Sequence, residues 1–166
     1  MKRKRFFEKS YFITLILFLA FFNLGLFSLA LYTHHNSTEA AKQICVSEQF
    51  AIIEAFEKDY SDGGETEGYF LQLSYGKHYK DKGILLRFET KNQISYANMP
   101  DNYPVPNAGE MIIDNINGKK YIFISDTVCG GKYLLTYAKD ISYLDEQLKN
   151  LAAVFGGISV FASVIL

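Results

Sequence analysis

The chain has 166 residues, is 49% hydrophobic and carries a formal net charge of −1. This length allows one modest domain, and the balanced charge excludes a strongly basic nucleic-acid-binding surface. The apolar residues are concentrated at the two ends of the chain, whereas the middle has the mixed composition of an ordinary soluble domain.

The first apolar segment, residues 11–32, contains 22 residues without a charge and follows a basic start, MKRKRFFEK. At about 1.5 Å per residue, a helix of this length crosses the roughly 30 Å hydrocarbon core of a bilayer. The basic residues predict a cytoplasmic stub at 1–10 and an extracytoplasmic position for residue 33. A cleaved signal peptide is the alternative, but its apolar core has about 7 to 15 residues and ends in a small-residue cleavage site. We therefore predict an uncleaved transmembrane helix over 11–32.

Residues 33–148 are predicted to form one extracytoplasmic domain. In its first part, 37–60, apolar residues recur at three- and four-residue steps, which predicts a helix that the glycines of SDGGETEG end. The period then changes to two and Asn117-Gly118 suits a tight hairpin turn, which together predict about six short strands within 68–75, 82–90, 93–99, 109–126 and 129–140. A helix followed by an antiparallel sheet predicts the α+β class.

The last apolar run, residues 149–166, is too short for a full crossing, which takes about 20 residues. An interfacial or a buried terminal helix is the alternative, but an interfacial helix needs a polar face, and residues 151–166 have none. No basic residue closes the run. We therefore expect a second transmembrane helix that is truncated at residue 166. The predicted fold is a small antiparallel sheet packed on a long N-terminal helix and flanked by two transmembrane helices.

Two cysteines, Cys45 and Cys129, lie in the predicted outer domain. An even count in an oxidising compartment permits a disulfide, which would stabilise the domain by roughly 2 to 4 kcal/mol. Two independent thiols in the core are the alternative, because free cysteines are among the most buried residues. The sequence leaves both interpretations open.

Polar side chains at strand positions are the candidate ligand-binding groups. Arg87 lies inside the apolar strand ILLRFE, and its fork of donors would suit a carboxylate or a phosphate. Tyr96, Asn98 and Tyr137 could line the same face of the sheet. The alternative for Arg87 is a position on a solvent-exposed face.

Motifs for catalysis and for metal binding are absent from the sequence: it has no P-loop, no GxSxG and no HExxH. The adjacent histidines His34 and His35 do not share a helix face well enough to bind a metal together. We therefore predict no catalytic residue and no metal site in this chain.

The layout resembles the sensor region of bacterial membrane-bound histidine kinases. The likeness is carried by the MKRKR start, by the helical run 11–60, and by KYLLTYAKDISYLDEQLKNL, which leads into the last apolar run. It covers the whole chain and rests on this layout. The resemblance implies a PAS-like or Cache-like outer domain in a multi-pass cell-membrane protein. It also implies that an ATP- and Mg-dependent kinase domain follows residue 166 and that this part of the protein carries no cofactor.

The resemblance further implies the partners of the chain. They are the lipid bilayer, a second copy in a homodimer, an extracellular signal, and a cytoplasmic response regulator that the kinase part would phosphorylate. Chemoreceptors and membrane diguanylate cyclases share the layout. The alternative function is a membrane module of a transporter, or of another receptor, with an outer domain between its first two spans.

Overall fold

The computed structural model describes residues 2–63, 68–91 and 93–165. Within these residues the chain forms three helices and five strands, in the order α1 (Lys2–Gly63), α2 (Gly68–Lys80), β1 (Ile84–Glu89), β2 (Ile94–Ala97), β3 (Met111–Ile116), β4 (Lys119–Val128), β5 (Tyr133–Asp140) and α3 (Tyr143–Ile165). The predicted α+β class and the long N-terminal helix are confirmed.

The chain divides into two compact units. The helical unit consists of Met1–Glu39 and Tyr143–Leu166, and the sheet unit consists of Ala40–Ser142. Helix α1 is a single helix of 62 residues and contributes to both units. The sheet unit is therefore inserted, along the chain, between the two helical segments of the other unit.

The sheet is antiparallel throughout, with strand order β2-β1-β5-β4-β3. The predicted hairpin is confirmed, because Asn117 and Gly118 join β3 to β4 with φ angles of 53° and 77°. Both values lie in the left-handed region that asparagine and glycine tolerate in two-residue hairpin turns.

The sheet unit has apolar packing on both faces of its sheet. On one face the fully buried Phe56 of α1 packs on Phe88 of β1, with ring centroids 4.8 Å apart. On the other face, residues from β4 and β5 form a cluster with the loop after β2, namely Met99, Tyr103, Tyr121, Phe123 and Ala138. The loop between β2 and β3, which contains Pro104 and Pro106, thus contributes to the core as well as connecting strands.

The predicted strand over 68–75 is wrong, because this segment lies in helix α2. Its buried residues, Gly68, Gln72 and Gly76, recur every four positions, which is the spacing of one helix face. The absence of a side chain at Gly76 allows a close approach: a Cβ added there would lie 2.0 Å from Cε1 of Tyr96. The sheet therefore has five strands instead of the predicted six.

The helical unit has one packed stripe on each of its two helices. Partly or fully buried side chains recur at three- and four-residue steps, at Leu15, Leu19, Phe22, Leu26 and Ala30 of α1 and at Leu144, Leu148, Leu151 and Phe155 of α3. This is the pattern of a helix that packs on one side. Large apolar side chains occupy much of the remaining surface, for example Phe21, which is 71% exposed, and Phe161, which is 68% exposed.

Among the described residues, one helix is long and apolar enough to cross a membrane, within Ser10–Asp62. The helix predicted to lead out of the last strand is present as α3. Its role as a second transmembrane helix stays a prediction, and residue 166, where the truncation is expected, lies outside the described residues.

Candidate functional site

The four candidate ligand groups are divided between the two faces of the sheet. Tyr96 is the register partner of Phe88, and Tyr137 is the register partner of Leu86, so both point to the side that α1 and α2 cover. Asn98 also points to that side, because its amide contacts α2. Arg87 lies one residue away from both Leu86 and Phe88 and therefore faces the opposite side.

Arg87 is bound within its own strand. Its Nε donates a 2.9 Å hydrogen bond to Oε1 of Glu89, and its side chain is only 11% exposed. This burial does not fit the alternative of an arginine on a solvent-exposed face, and the ligand-binding role of Arg87 stays a prediction. On the neighbouring strand its register partner is Thr136, whose hydroxyl lies 2.8 Å from that of Ser125.

Asn98 and Tyr96 fasten helix α2 to the edge of the sheet. Oδ1 of Asn98 accepts a hydrogen bond of 2.7 Å from the backbone N–H of Leu86, and Nδ2 donates one of 2.7 Å to the carbonyl of Gly76. The ring of Tyr96 lies over Gly76, and burial raises the pKa of its hydroxyl. Because both the oxygen and the nitrogen of its amide are hydrogen-bonded, Asn98 connects strand β1 to helix α2 and has a structural role.

Tyr137 belongs to a set of hydrogen bonds between α1 and β5, which we call the polar bridge (Glu48, Tyr137 and Lys139). The Tyr137 hydroxyl donates a 2.6 Å hydrogen bond to Oε2 of Glu48. Nζ of Lys139 donates to both carboxylate oxygens of Glu48, at 2.8 and 2.7 Å. Lys139 and Tyr137 are two residues apart in β5, so their side chains reach the helix from the same face.

The electrostatics of the polar bridge keep Glu48 ionised and Tyr137 protonated. Burial alone would raise the pKa of Glu48, but the hydrogen bonds from Lys139 and Tyr137 outweigh it and hold the pKa below its usual range. Burial, together with the hydrogen bond to Glu48, raises the pKa of Tyr137 far above its ordinary value. The bridge is therefore a charged, fully formed connection near neutral pH.

The two cysteines are free thiols, so the disulfide that the sequence permits is not formed. Cys45 is buried on α1 beside Tyr137, whereas the backbone N–H of Cys129 donates a 2.8 Å hydrogen bond to Glu57. Glu57 lies twelve residues beyond Cys45 on the same helix, a rise of about 18 Å. A disulfide requires Cα atoms within about 7 Å. Burial raises the pKa of both thiols.

Sequence reasoning missed Glu48 and Lys139. Glu48 is one of several glutamates on α1, and the sequence does not show which of them meets the sheet. The available signal was the alternation in YLLTYAKD, where Tyr137 and Lys139 are polar residues on one face of a largely apolar strand.

The described residues hold no group of three His, Cys, Asp or Glu side chains that could bind a metal ion. The candidate site is the polar bridge, in which Glu48 of α1 is hydrogen-bonded to Tyr137 and Lys139 of β5. Helix α1 leads into the sheet unit, and β5 is its last strand. No model of a known protein family matches this chain, and no curated protein or solved structure matches it either.

Proposed function

We propose that this chain is the sensing and signal-transducing membrane part of a two-component sensor histidine kinase. In this proposal the sheet unit is a PAS-like extracytoplasmic domain, and α1 and α3 cross the cell membrane. The chain acts as a homodimer, and the ATP- and Mg-dependent kinase domain follows in the remainder of the protein and phosphorylates a response regulator.

One observation carries the proposal: a soluble-type α+β unit is inserted between two helices whose outer surfaces are apolar. Helix α1 exposes Phe21 and Leu24 at 71% and 60%, and α3 exposes Val160 and Phe161 at 66% and 68%. Monomeric soluble proteins rarely expose large contiguous apolar surfaces. A bilayer would bury these side chains, and the basic start of α1 favours a cytoplasmic N-terminus.

The architecture of the sheet unit supports the PAS-like assignment. It is an antiparallel five-stranded sheet in which β1 and β5, the first and last strands, are neighbours, and its helices α1 and α2 pack on one face. The chain enters the sheet unit through α1 and leaves it through β5, which is followed by α3. A displacement of α1 relative to β5 would therefore reach both proposed membrane helices.

The polar bridge is the proposed point of coupling between sensing and signalling. It joins α1 to β5 through Glu48, and only two residues separate the end of β5 at Asp140 from the start of α3 at Tyr143. A signal shifts a conformational equilibrium only if it binds two arrangements with different affinity. In this proposal those arrangements differ in the position of α1 relative to β5.

Cysteine labelling in intact cells tests the membrane topology. Cys129 is partly exposed and Cys45 is buried, so a membrane-impermeant maleimide should label Cys129 in the folded protein. In a Cys129→Ser variant that also carries Ser10→Cys, labelling should require permeabilised cells. Labelling of Ser10→Cys in intact cells would contradict the proposed orientation.

Phosphorylation of the natural full-length protein tests the kinase assignment. Membranes that contain it should incorporate the γ-phosphate of ATP in a Mg-dependent, acid-labile form, as expected for phosphohistidine. If correctly inserted, dimeric protein incorporates no phosphate from ATP, the kinase assignment is wrong and the receptor or transporter alternative remains. A strictly monomeric full-length protein would contradict the proposed dimer.

A further inference from the structure

Strand β3 is an edge of the sheet with open backbone groups. It stands last in the strand order and, among the described residues, pairs only with β4. The backbone N–H of Ser125 in β4 donates to the carbonyl of Glu110. Because the bonds of an antiparallel pair alternate along the strands, Met111 and Ile113 direct their N–H and C=O groups away from β4. Such an edge is a template for one more strand.

The open part of this edge ends at Ile113. Asn115 also directs its backbone away from β4, but its N–H donates a 2.7 Å hydrogen bond to Oδ1 of Asp114. The backbone N–H and C=O groups of Met111 and Ile113 therefore remain available to an added strand, and only an extended backbone can bind both residues at once.

The side chains of this edge alternate between an apolar face and an acidic face. On one face Met111 and Ile113 are 40% and 37% exposed. On the other face Ile112 packs against the cluster that contains Phe123, and the exposed side chains of Glu110 and Asp114 lie on either side of it. In chain order, two acidic residues thus enclose three apolar ones.

The two acidic side chains determine the charge of a suitable partner. Oε2 of Glu110 accepts a 2.8 Å hydrogen bond from the Asn107 side chain, and Asp114 accepts from a backbone N–H, so both of these donors are neutral. Along a strand the two acidic residues are about 13 Å apart. Two basic residues four positions apart in an antiparallel peptide have the same spacing, and opposite charges directly across a strand pair are stabilising.

The same charges disfavour a second copy of this chain as the partner. The antiparallel pairing of two β3 strands that uses all the open groups of Met111 and Ile113 is centred on Ile112. It would place Glu110 of each copy opposite Asp114 of the other, and like charges directly opposite each other are destabilising. The edge is therefore better matched to a basic strand than to itself.

We propose that β3 binds an extended basic peptide as a sixth, antiparallel strand of the sheet. The peptide carries two lysines or arginines that enclose three apolar residues, and these basic residues lie opposite Glu110 and Asp114. The inference goes beyond the proposed function and does not rest on it, because β3 belongs to the sheet unit and the argument uses no membrane placement.

Fluorescence anisotropy of a rhodamine-labelled, amidated heptapeptide, SKVIVKS, tests the proposal. The full chain is held in nanodiscs of zwitterionic phosphatidylcholine, and empty nanodiscs measure binding to lipid. We expect saturable binding of SKVIVKS and about tenfold weaker binding of the acidic peptide SEVIVES, because two attractive cross-strand pairs become repulsive. Equal affinities would contradict the charge argument, and no saturable binding would show that the acidic side chains only protect the edge from association.

Methylated peptides test the backbone pairing without any change to the protein. In the proposed register the two valines of SKVIVKS lie opposite Met111 and Ile113, so their N–H groups point at β3, whereas the N–H of the central isoleucine points away. We expect N-methylation of both valines to abolish saturable binding and N-methylation of the isoleucine to preserve it. Equal losses from both changes would overturn strand addition.

Substitutions of the acidic side chains locate the peptide on β3. Asp114→Asn should weaken binding of SKVIVKS about threefold, as expected for one cross-strand pair of opposite charge. Asp126→Asn is the matched control, because Asp126 accepts a 2.7 Å hydrogen bond from the next backbone N–H, as Asp114 does. Asp126 lies five residues beyond Tyr121, the register partner of Asp114, a distance of about 17 Å. Equal effects of the two substitutions would place the peptide elsewhere.

Two further variants separate the basic peptide from a second copy. Glu110→Lys combined with Asp114→Lys should reverse the preference, so that SEVIVES binds more tightly than SKVIVKS, and an unchanged preference would contradict the proposal. Ile112→Cys, in a background that carries Cys45→Ser and Cys129→Ser, reports on pairing of β3 with itself. Rapid disulfide formation between two chains without peptide would show that a second copy occupies the edge, and would overturn the proposal.

Discussion

At the scale of single residues, Tyr137 is the fully buried hydrogen-bond donor of the polar bridge, and its hydrogen bond contributes to the stability of the sheet unit. Its side chain is fully buried, and its hydroxyl is 2.6 Å from the Glu48 carboxylate. We expect Tyr137→Phe to lower the free energy of unfolding by about 2 kcal/mol, because a buried hydrogen bond to a charged group is lost. Urea denaturation of the sheet unit, followed by circular dichroism, measures this change. The control Tyr69→Phe, at a 56% exposed position, should change stability by less than about 0.5 kcal/mol.

Glu48 makes stability depend on pH in the acid range. Its pKa is lower in the folded protein than the ordinary value of 4.5, so the folded state binds fewer protons than the unfolded state there. The resulting stabilisation is fully present above about pH 5 and is lost as the pH falls through the folded pKa. We expect the melting temperature of Glu48→Gln to fall less steeply below pH 5 than that of the natural chain. Glu54→Gln, at an exposed position on the same helix, should keep the natural slope.

At the scale of elements, the packing of α1 on the sheet depends on one aromatic side chain. Phe56 is fully buried between Tyr75 of α2 and Phe88 of β1, with ring centroids 5.4 and 4.8 Å away. Phe56→Ala should cost about 3 to 5 kcal/mol, because it leaves a cavity where three elements meet. Phe50→Ala provides the matched control, since Phe50 lies on the same helix and is 66% exposed. Similar losses in both variants, measured by urea denaturation, would contradict this packing.

The contact between α2 and β2 depends on the absence of a side chain at Gly76. Alanine favours helices over glycine by about 1 kcal/mol, but a Cβ at this position would lie 2.0 Å from Tyr96. We expect the clash to exceed the helix preference, so that Gly76→Ala destabilises the sheet unit. In a Tyr96→Ala background the same substitution should become neutral or stabilising. A double-mutant cycle measures this coupling, and additive effects would show that the two residues do not interact.

At the scale of the whole molecule, the two units should respond differently to denaturant. The sheet unit is held by a buried core that urea destabilises, with a slope of about 1 to 3 kcal/mol per molar for a small domain. The apolar surfaces of the helical unit are covered by detergent in micelles, where the backbone stays hydrogen-bonded as helix. We expect near-ultraviolet signals from the tyrosines of the sheet unit to disappear in urea while part of the helical circular dichroism remains. Simultaneous loss of both signals would show one cooperative unit.

The sequence by itself determined the features that depend on local chemistry. Asn117-Gly118 predicts a tight hairpin because both residues tolerate positive φ angles, and the glycines after Asp62 predict the end of α1 near Gly63. The alternation of ILLRFE and YLLTYAKD predicts strands in the same way. The α+β class follows from these periods, because a change from helical to strand spacing is visible in the sequence alone.

Only the tertiary structure decided which residues meet. Gly68, Gln72 and Gly76 lie on the buried face of α2, and Gly76 lies there because Tyr96 leaves no room for a Cβ. That contact comes from a residue 20 positions away, so the segment 68–75 read alone is also compatible with a strand. The partners of Glu48 lie about 90 residues away in the sequence, and no local pattern predicts a contact across that distance. The free thiols of Cys45 and Cys129 have the same physical origin. The count of cysteines permits a bridge, but the fold places Cys129 beside Glu57, about 18 Å along α1 from Cys45.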